Sequence, residues 1–240
     1  MALYSYIKEV KAKQVKKRKR RVASIISLGC IGSGLIILIW VLYPILAFDL
    51  VYASKFEDLV RPMPEPVIRP ALASEISEVL GTMTDYTKAS AWFPKAVNLK
   101  LATSNSAYAL SIPRFGINNA HVAVGGESLD NSLIHFTGPL PGNYGNPVIF
   151  GHSTLPFLYN PQNYKTIFTH LPDFDRGDDI YTTVDNVTFH YKVDSMKIVT
   201  PDDLAVLEQN YDSSYITLVT CVPPGTYIKR LVVKGKLVSQ

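Results

Sequence analysis

A long stretch without charge near the N-terminus constrains this chain more than any other feature. Residues 22–48 (VASIISLGCIGSGLIILIWVLYPILAF) contain no Asp, Glu, Lys or Arg over 27 positions. A helix of that length spans roughly 40 Å, which is enough to cross a bilayer. The alternative is a cleaved signal peptide, since Val51–Ala53 has the small-residue look of a cleavage site. Secretory apolar regions usually run only about 7 to 15 residues, so we predict a retained transmembrane helix over residues 22–48.

The residues before this stretch are strongly basic. Residues 1–21 carry nine Lys or Arg and a single acid, Glu9. Positive residues beside an apolar span resist translocation and attract anionic lipid, so we predict a single-pass membrane protein with a cytoplasmic N-terminal tail and an extracytoplasmic domain. A nucleic-acid partner is disfavoured, because 15 basic and 19 acidic residues leave residues 49–240 at a formal charge of −4.

The segment that follows the predicted helix contains many prolines. Residues 49–107 include RPMPEPVIRP, whose proline spacing favours extended backbone over helix. Within the same segment, Ser74–Leu80 has a capping serine and the spacing of a short helix. We predict that residues 49–107 form a stalk or linker.

The remaining residues, 108–240, are predicted to form an all-β domain. Short runs rich in Val, Ile, Thr, Tyr and Phe alternate there with Gly, Pro, Asn and Asp clusters, which is typical of a sandwich or barrel. The turn Asp185-Asn186 predicts a hairpin, and Asp202–Asn210 has the spacing of a short surface helix. The predicted strands are Ala109–Ile112, His121–Val124, Pro147–Phe150, Ile180–Val184, Val187–Val193, Lys197–Val199, Tyr215–Thr220 and Ile228–Leu237.

The sequence has two cysteines, and they cannot share a disulfide if the predicted topology holds. Cys30 lies in the apolar stretch, whereas Cys221 follows the β-rich run Tyr215–Thr220 and precedes VPPG. This placement predicts an exposed position for Cys221 at the rim of a sheet, from which a thiol can meet an acyl carbon in fixed geometry. A free cysteine is also commonly a small buried hydrophobe, and at this point both interpretations stay open.

Five histidines could partner this thiol: His121, His135, His152, His170 and His190. His152 is favoured, because it follows an apolar strand and Gly151 and so lies at a strand end. His190 is predicted on a solvated strand face and His170 in a loop, while His121 and His135 remain possible.

Arg230 follows Cys221 by nine residues across a turn, so pairing of the flanking strands would return it to the thiol. A guanidinium can donate hydrogen bonds to a carbonyl oxygen as negative charge develops on it. The alternative is a surface arginine on an edge strand. A zinc site is disfavoured, because zinc takes several Cys or His ligands and this domain has one cysteine.

Several separated motifs resemble the sortase family. Thr217–Cys221 (TLVTC) is similar to the TLxTC signature, and TCVPPGTYIKRLVV resembles the CxPxGxxxxRLxV pattern. Asn146–Ser153 (NPVIFGHS) resembles the strand that ends in the family's catalytic histidine, and Leu110–Arg114 (LSIPR) its opening strand. The likeness runs from about residue 108 to 237 with the motifs in the family's order. It implies an eight-stranded sortase β-barrel with short helices, preceded by the transmembrane helix.

The resemblance also implies an activity and three catalytic residues. Cys221 would attack the Thr-Gly amide of an LPxTG-like sorting signal, Arg230 would hold the oxyanion, and His152 would protonate the departing amine. The resulting thioester would pass to an amine of a cell-wall precursor or a pilin lysine. The implied partners are surface proteins with such a signal, together with membrane lipid around the N-terminal helix. No cofactor is implied; some sortases bind calcium, but acids such as Glu127 and Asp130 form no assignable loop pattern.

The sequence departs from the family in ways that leave the subclass open. The Cys-Arg spacing resembles that of pilin-polymerising class C sortases, which usually carry a C-terminal membrane span and a lid with an Asp-Pro-aromatic motif. This sequence ends at Gln240 without a second span, and its segment before the barrel offers only Ser90–Pro94 (SAWFP). The alternatives to a transpeptidase are a non-catalytic peptide-binding barrel and a cysteine hydrolase of the same fold.

Overall fold

The computed structural model describes residues 11–56, 85–98 and 106–239. The chain contains two compact units, residues 1–47 and 48–240. Helix α1 runs over Lys11–Phe56. Its stretch Ser24–Phe48 is 25 residues long and apolar enough to cross a membrane. The predicted transmembrane segment is therefore a helix of suitable length and composition, while its orientation stays a prediction.

The second unit contains a closed barrel of eight strands. The strands are β1 Ala107–Ile112, β2 Ile117–Val124, β3 Leu133–Thr137, β4 Val148–Phe150, β5 Asp179–Val184, β6 Val187–Val199, β7 Tyr215–Val222 and β8 Lys229–Ser239. Around the barrel their order is β1-β2-β3-β4-β7-β8-β6-β5, and β5 pairs back with β1. The pairs β2/β3 and β4/β7 are parallel, and the others are antiparallel. The prediction of an eight-stranded all-β barrel is confirmed.

Some elements differ from the predicted ones for identifiable reasons. Strand β3 was not predicted. It is only five residues long, and all five are buried, including the polar residues His135 and Thr137. Strand β6 continues through a register shift between Val193 and Ser195, so two predicted strands form one. The predicted helix over Asp202–Asn210 is a single 3₁₀ turn, Leu204–Leu207. The predicted short helix Ser74–Leu80 lies outside the described residues.

The hairpin between β5 and β6 is the one that the turn residues predict. Asp185 and Asn186 have φ values of 49° and 66°, the left-handed region that a two-residue turn of this kind requires. The pairing of β5 with β6 begins at the turn, where Val184 is opposite Val187.

The strands carry a hydrophobic cluster on each face. The larger cluster fills the barrel and includes Leu218 and Val222 of β7. The smaller cluster lies on the opposite face and includes Val219 and Cys221 of the same strand. Alternate residues of a strand point to opposite faces, so Cys221 faces away from the barrel interior.

Residues 85–98, which belong to the segment predicted as a stalk, pack on this outer face. The backbone N–H of Leu129 donates to the carbonyl of Thr87, and that of Ala89 donates to the carbonyl of Glu127, both at 2.9 Å. Trp92 is fully buried in the smaller cluster. The segment therefore pairs with the loop between β2 and β3 and covers the face that carries Cys221.

His135 of β3 is a fully buried neutral histidine. Its Nε2 lies 2.9 Å from the carbonyl oxygen of Thr137, an acceptor, so we assign the ring proton to Nε2. Nδ1 then accepts from the hydroxyl of Tyr108 at 3.4 Å. Burial lowers the pKa of His135 to about 4, so the ring is uncharged at neutral pH.

We expect His135 to make the fold sensitive to acid. The folded protein keeps this ring neutral down to about pH 4, whereas the unfolded chain binds the proton near its ordinary pKa of 6.5. The unfolded state thus binds more protons between these values, and the free energy of unfolding decreases as the pH falls from 6.5 to 4, by up to about 3 kcal/mol. In urea unfolding, His135→Gln, which retains an amide donor, is expected to show a flatter pH dependence. His121→Gln, a change at an exposed histidine, is the control, and an equal slope in both variants would contradict the assignment.

Candidate active site

Cys221 and Arg230 are opposite each other on neighbouring antiparallel strands. In the ladder between β7 and β8 they form a pair one rung before the final pair, Val222–Lys229. Side chains of directly opposed residues share one face, and their Cβ atoms are about 4.5 to 5.5 Å apart. The turn after Val222 therefore returns the guanidinium to the thiol.

His152 reaches the same place from the other edge of β7. Strand β4 pairs with β7 in parallel, and the last pair of that ladder is Phe150–Val219. His152 lies two residues beyond Phe150, and Cys221 lies two residues beyond Val219, so both continue the same register. The structure thus brings Cys221 and Arg230, on β7 and β8, together with His152, just beyond the end of β4, at one end of the barrel.

The remaining histidines lie elsewhere in the described barrel. His135 belongs to β3, but its neighbours Ile134 and Phe136 occupy the outer cluster, so its own ring points to the opposite face. His170 and His190 are paired with the carboxylates of Asp173 and Asp179, each at 2.7 Å. His121 is exposed on β2.

Trp92 touches both His152 and Arg230. Its ring centroid lies 5.6 Å from that of His152, and Cζ of Arg230 lies 5.4 Å from the Trp92 centroid. The backbone carbonyl of Trp92 accepts a hydrogen bond from Nη2 of Arg230 at 3.3 Å. The pre-barrel segment therefore occupies the space in front of the three side chains.

Arg230 is fully buried, and its guanidinium is held by backbone carbonyls. Nη1 donates to the carbonyl of Tyr227 at 2.9 Å and to that of Lys229 at 3.3 Å. Its Nε, among the described residues, has no hydrogen-bond partner. An unused buried donor is costly, and Arg230 is the residue paired with Cys221 in the strand ladder.

The predicted exposed position of Cys221 is wrong. Its residual exposure is 2 %, because the strand end is covered by the apolar cluster that includes Trp92 and Phe150. The proline and glycine after Val222 do end the strand, but the segment before the barrel, which is distant in sequence, closes over it. The free thiol is therefore buried, and it lies beside Arg230.

Burial shifts the protonation of both reactive groups toward their neutral forms. It raises the pKa of Cys221 to about 11, although the nearby charge of Arg230 acts in the opposite direction. Burial also lowers the pKa of His152; the carboxylate of Asp130 raises that pKa, and the ammonium of Lys165 lowers it. In the covered site at neutral pH, the thiol is protonated and the imidazole is uncharged.

Sequence reasoning did not identify Trp92, Asp130 or Lys165 as parts of this site. Trp92 had one usable signal, which is a Trp-Phe pair next to a proline in a segment otherwise assigned to a stalk. Asp130 and Lys165 form a salt bridge at 3.1 Å between two loops, and no local pattern in the sequence predicts it. Among the described residues, no group of three or more His, Cys, Asp or Glu could hold a metal ion.

A family model for the sortase domain matches residues 110–238. That is more than half of the chain, and it covers all three side chains of the site. The protein therefore belongs to the sortase family.

Individual relatives are identical to this chain at about a quarter to a third of the aligned residues. Sortase A of Bacillus anthracis is 33 % identical over 95 residues, which is 40 % of this chain and 41 % of that protein. The chain thus matches about two fifths of the length of this curated relative.

Solved sortase structures are similar over more than half of the chain. A sortase D5 transpeptidase of Clostridium perfringens has 26 % identity and a TM-score of 0.48, covering 61 % of this chain and 94 % of that one. The pilus-related sortase C of Group B Streptococcus has 29 % identity and a TM-score of 0.48, with coverage of 57 % and 69 %. A lid mutant of sortase A from Corynebacterium diphtheriae has 29 % identity and a TM-score of 0.47, with coverage of 62 % and 78 %.

We expect the charges of Asp130 and Lys165 to move the His152 pKa in opposite directions. Lys165→Met removes a cation and should raise that pKa, whereas Asp130→Asn removes an anion and should lower it. An NMR titration of the His152 ring measures both shifts, which should shrink in high salt because the two charges are partly exposed. Lys192→Met, which breaks an ion pair with Asp179 away from the covering segment, is the control. Shifts of the same sign in the two variants would contradict the assignment.

Proposed function

We propose that this protein cleaves an LPxTG-like sorting signal and transfers the carboxyl-terminal threonine of the cleaved protein to an amine through a thioester on Cys221. The observation that carries the proposal is the convergence of Cys221, His152 and Arg230 on adjacent strands of a sortase barrel. The amine would come from a cell-wall precursor or a pilin lysine. Helix α1 would hold the domain at the outer face of the membrane.

The proposed chemistry uses Cys221 as nucleophile, Arg230 as oxyanion donor and His152 first as base and then as acid. A proton passes from the thiol to His152, and the thiolate attacks the carbonyl carbon between Thr and Gly, forming a carbon–sulfur bond. Arg230 donates hydrogen bonds to the oxyanion, and collapse of the intermediate breaks the carbon–nitrogen bond as His152 protonates the leaving amine. In the second half, an incoming amine attacks the thioester and gives its proton to the neutral imidazole. The new amide is released, and the thiol regains its proton.

The substrate must displace the segment that covers the site. Arg230 is fully buried and already donates to the carbonyl of Trp92, which is the kind of acceptor that a substrate carbonyl provides. We infer that a peptide carbonyl takes the place of the Trp92 carbonyl as the segment moves away. Ser90 in this segment is held by Glu127, which accepts from the backbone N–H of Ser90 at 3.2 Å and from its hydroxyl.

The first test is covalent capture by an electrophilic mimic of the sorting signal. Mass spectrometry should find one adduct on Cys221 that Cys221→Ala abolishes. His152→Ala and Arg230→Ala should each slow the reaction by about a hundredfold or more, because an acid–base group or an oxyanion donor is lost. Arg230→Lys should also be slow, since it keeps the charge but loses the planar fork.

His121→Ala, at an exposed histidine, is the control for these variants and should react at the normal rate. Circular dichroism of each variant shows whether the barrel is intact. With a real peptide and excess amine, an amide product supports transpeptidation, whereas free threonine-ended peptide alone identifies a hydrolase. Reversible binding that Cys221→Ala leaves unchanged identifies a peptide-binding module.

A second test concerns the covering segment. Glu127→Gln weakens the hold on Ser90, and we expect iodoacetamide to alkylate Cys221 several times faster in this variant, because the thiol is exposed more often. The matched control is Glu208→Gln, at an exposed glutamate that follows the turn Leu204–Leu207. Alkylation at the wild-type rate in Glu127→Gln would show that this contact does not limit access to the thiol.

A further inference from the structure

The hydroxyl of Ser153 links the residue after the histidine directly to the cysteine. Its Oγ donates a hydrogen bond to the backbone carbonyl of Cys221 at 2.6 Å. We infer that Ser153 is a positioning residue that holds His152 in register with Cys221 during acyl transfer. This inference rests on the proposed function, and it names a residue that the three catalytic groups depend on.

The hydrogen bond from Ser153 to Cys221 lies just beyond the last residue pair of the β4–β7 ladder. Strand β4 has three residues, and its ladder with β7 ends at the pair Phe150–Val219. The N–H of Gly151 still donates to the carbonyl of Val219 at 3.2 Å. If the parallel ladder continued, the N–H of residue 153 would donate to the carbonyl of Cys221. The side chain of Ser153 makes this contact, so the next rung is closed by a hydroxyl.

Besides the bond from Gly151 to Val219, three hydrogen bonds hold the chain around His152. The carbonyl of Gly151 accepts from the hydroxyl of Thr220 at 2.8 Å, and the carbonyl of His152 accepts from the N–H of Phe168 at 3.0 Å. The third is the bond from Ser153, and of these three it is the one that reaches Cys221 itself. Gly151 also has no room for a side chain, since a Cβ there would lie 2.5 Å from the ring of Phe168.

The chemistry makes this register important. The proton must pass between the thiol and the imidazole, and such transfers require heavy atoms within about 2.6 to 3.2 Å. Misplacement by about 1 Å can cost about a hundredfold in rate. The loop after Ser153 has an independent attachment, because the N–H of Thr154 donates to the hydroxyl of Thr169 at 3.0 Å. Loss of the Ser153 hydroxyl should therefore loosen the link to Cys221 while the loop stays in place.

The variants that test this role are Ser153→Ala and Ser153→Thr, with Thr226→Ala as the matched control. Thr226 lies in the turn between β7 and β8, and its hydroxyl donates to the carbonyl of Pro223 at 2.7 Å. We expect Ser153→Ala to lower kcat for acyl transfer about ten- to a hundredfold with little change in KM. Ser153→Thr should restore most of the rate, and Thr226→Ala should behave like the wild type. The thermal midpoints of all variants should be close to one another.

A double-mutant cycle separates positioning from a general structural effect. The readout is the rate at which iodoacetamide alkylates Cys221 as a function of pH, which needs no peptide substrate. If Ser153 acts through His152, then Ser153→Ala slows alkylation in the wild-type background and has no further effect in His152→Ala. An equal effect in both backgrounds, or a wild-type kcat in Ser153→Ala, would overturn the inference. If coupling appears in alkylation but no peptide is ever transferred, the proposed function fails and the positioning role of Ser153 stands.

Discussion

The pairing of β7 with a different neighbour on each edge is the constraint on which this site depends. The antiparallel partner β8 places Arg230 opposite Cys221, and the parallel partner β4 continues to His152 in the same register. Every residue of β7 is buried, so the strand cannot shift by one position without moving apolar side chains to the wrong face. The positions of the three side chains are therefore set by the same interactions that close the barrel.

In this structure, strand pairing sets the positions of the three side chains, whereas burial sets the protonation of the thiol and the imidazole. The strands assemble Cys221 beside Arg230 and in register with His152, but the apolar cover favours the neutral thiol and the neutral imidazole. The guanidinium meanwhile donates to backbone carbonyls, including that of Trp92. Under the proposed function this is a resting arrangement, since the guanidinium that would bind an oxyanion already donates to carbonyls of the protein itself. Exposure of the face would remove the burial that shifts both pKa values.

Much of the barrel could be predicted from the chain, and the exceptions have physical causes. Alternating strands and the turn Asp185-Asn186 were identified, because period-two patterning and positive φ are local properties. Strand β3 was missed because it is only five residues long and its polar residues His135 and Thr137 are buried like their apolar neighbours. The motif around Cys221 indicated the right neighbours, yet its predicted exposure was wrong. That exposure depends on Trp92, which contacts Arg230 although the two residues are 138 positions apart in sequence.

The sequence by itself determined the uncharged span of residues 22–48, the strand-turn-strand unit that carries Cys221 and Arg230, and the family. These depend on composition and on residues that are close along the chain. Only the tertiary structure decided that β4 joins β7 in parallel, that Ser153 donates to Cys221 across 68 positions, and that residues 85–98 cover the thiol. Contacts between distant segments form when the free energy gained by packing exceeds the entropic free-energy cost of closing the intervening loop. That balance depends on the whole barrel, so no local pattern encodes it.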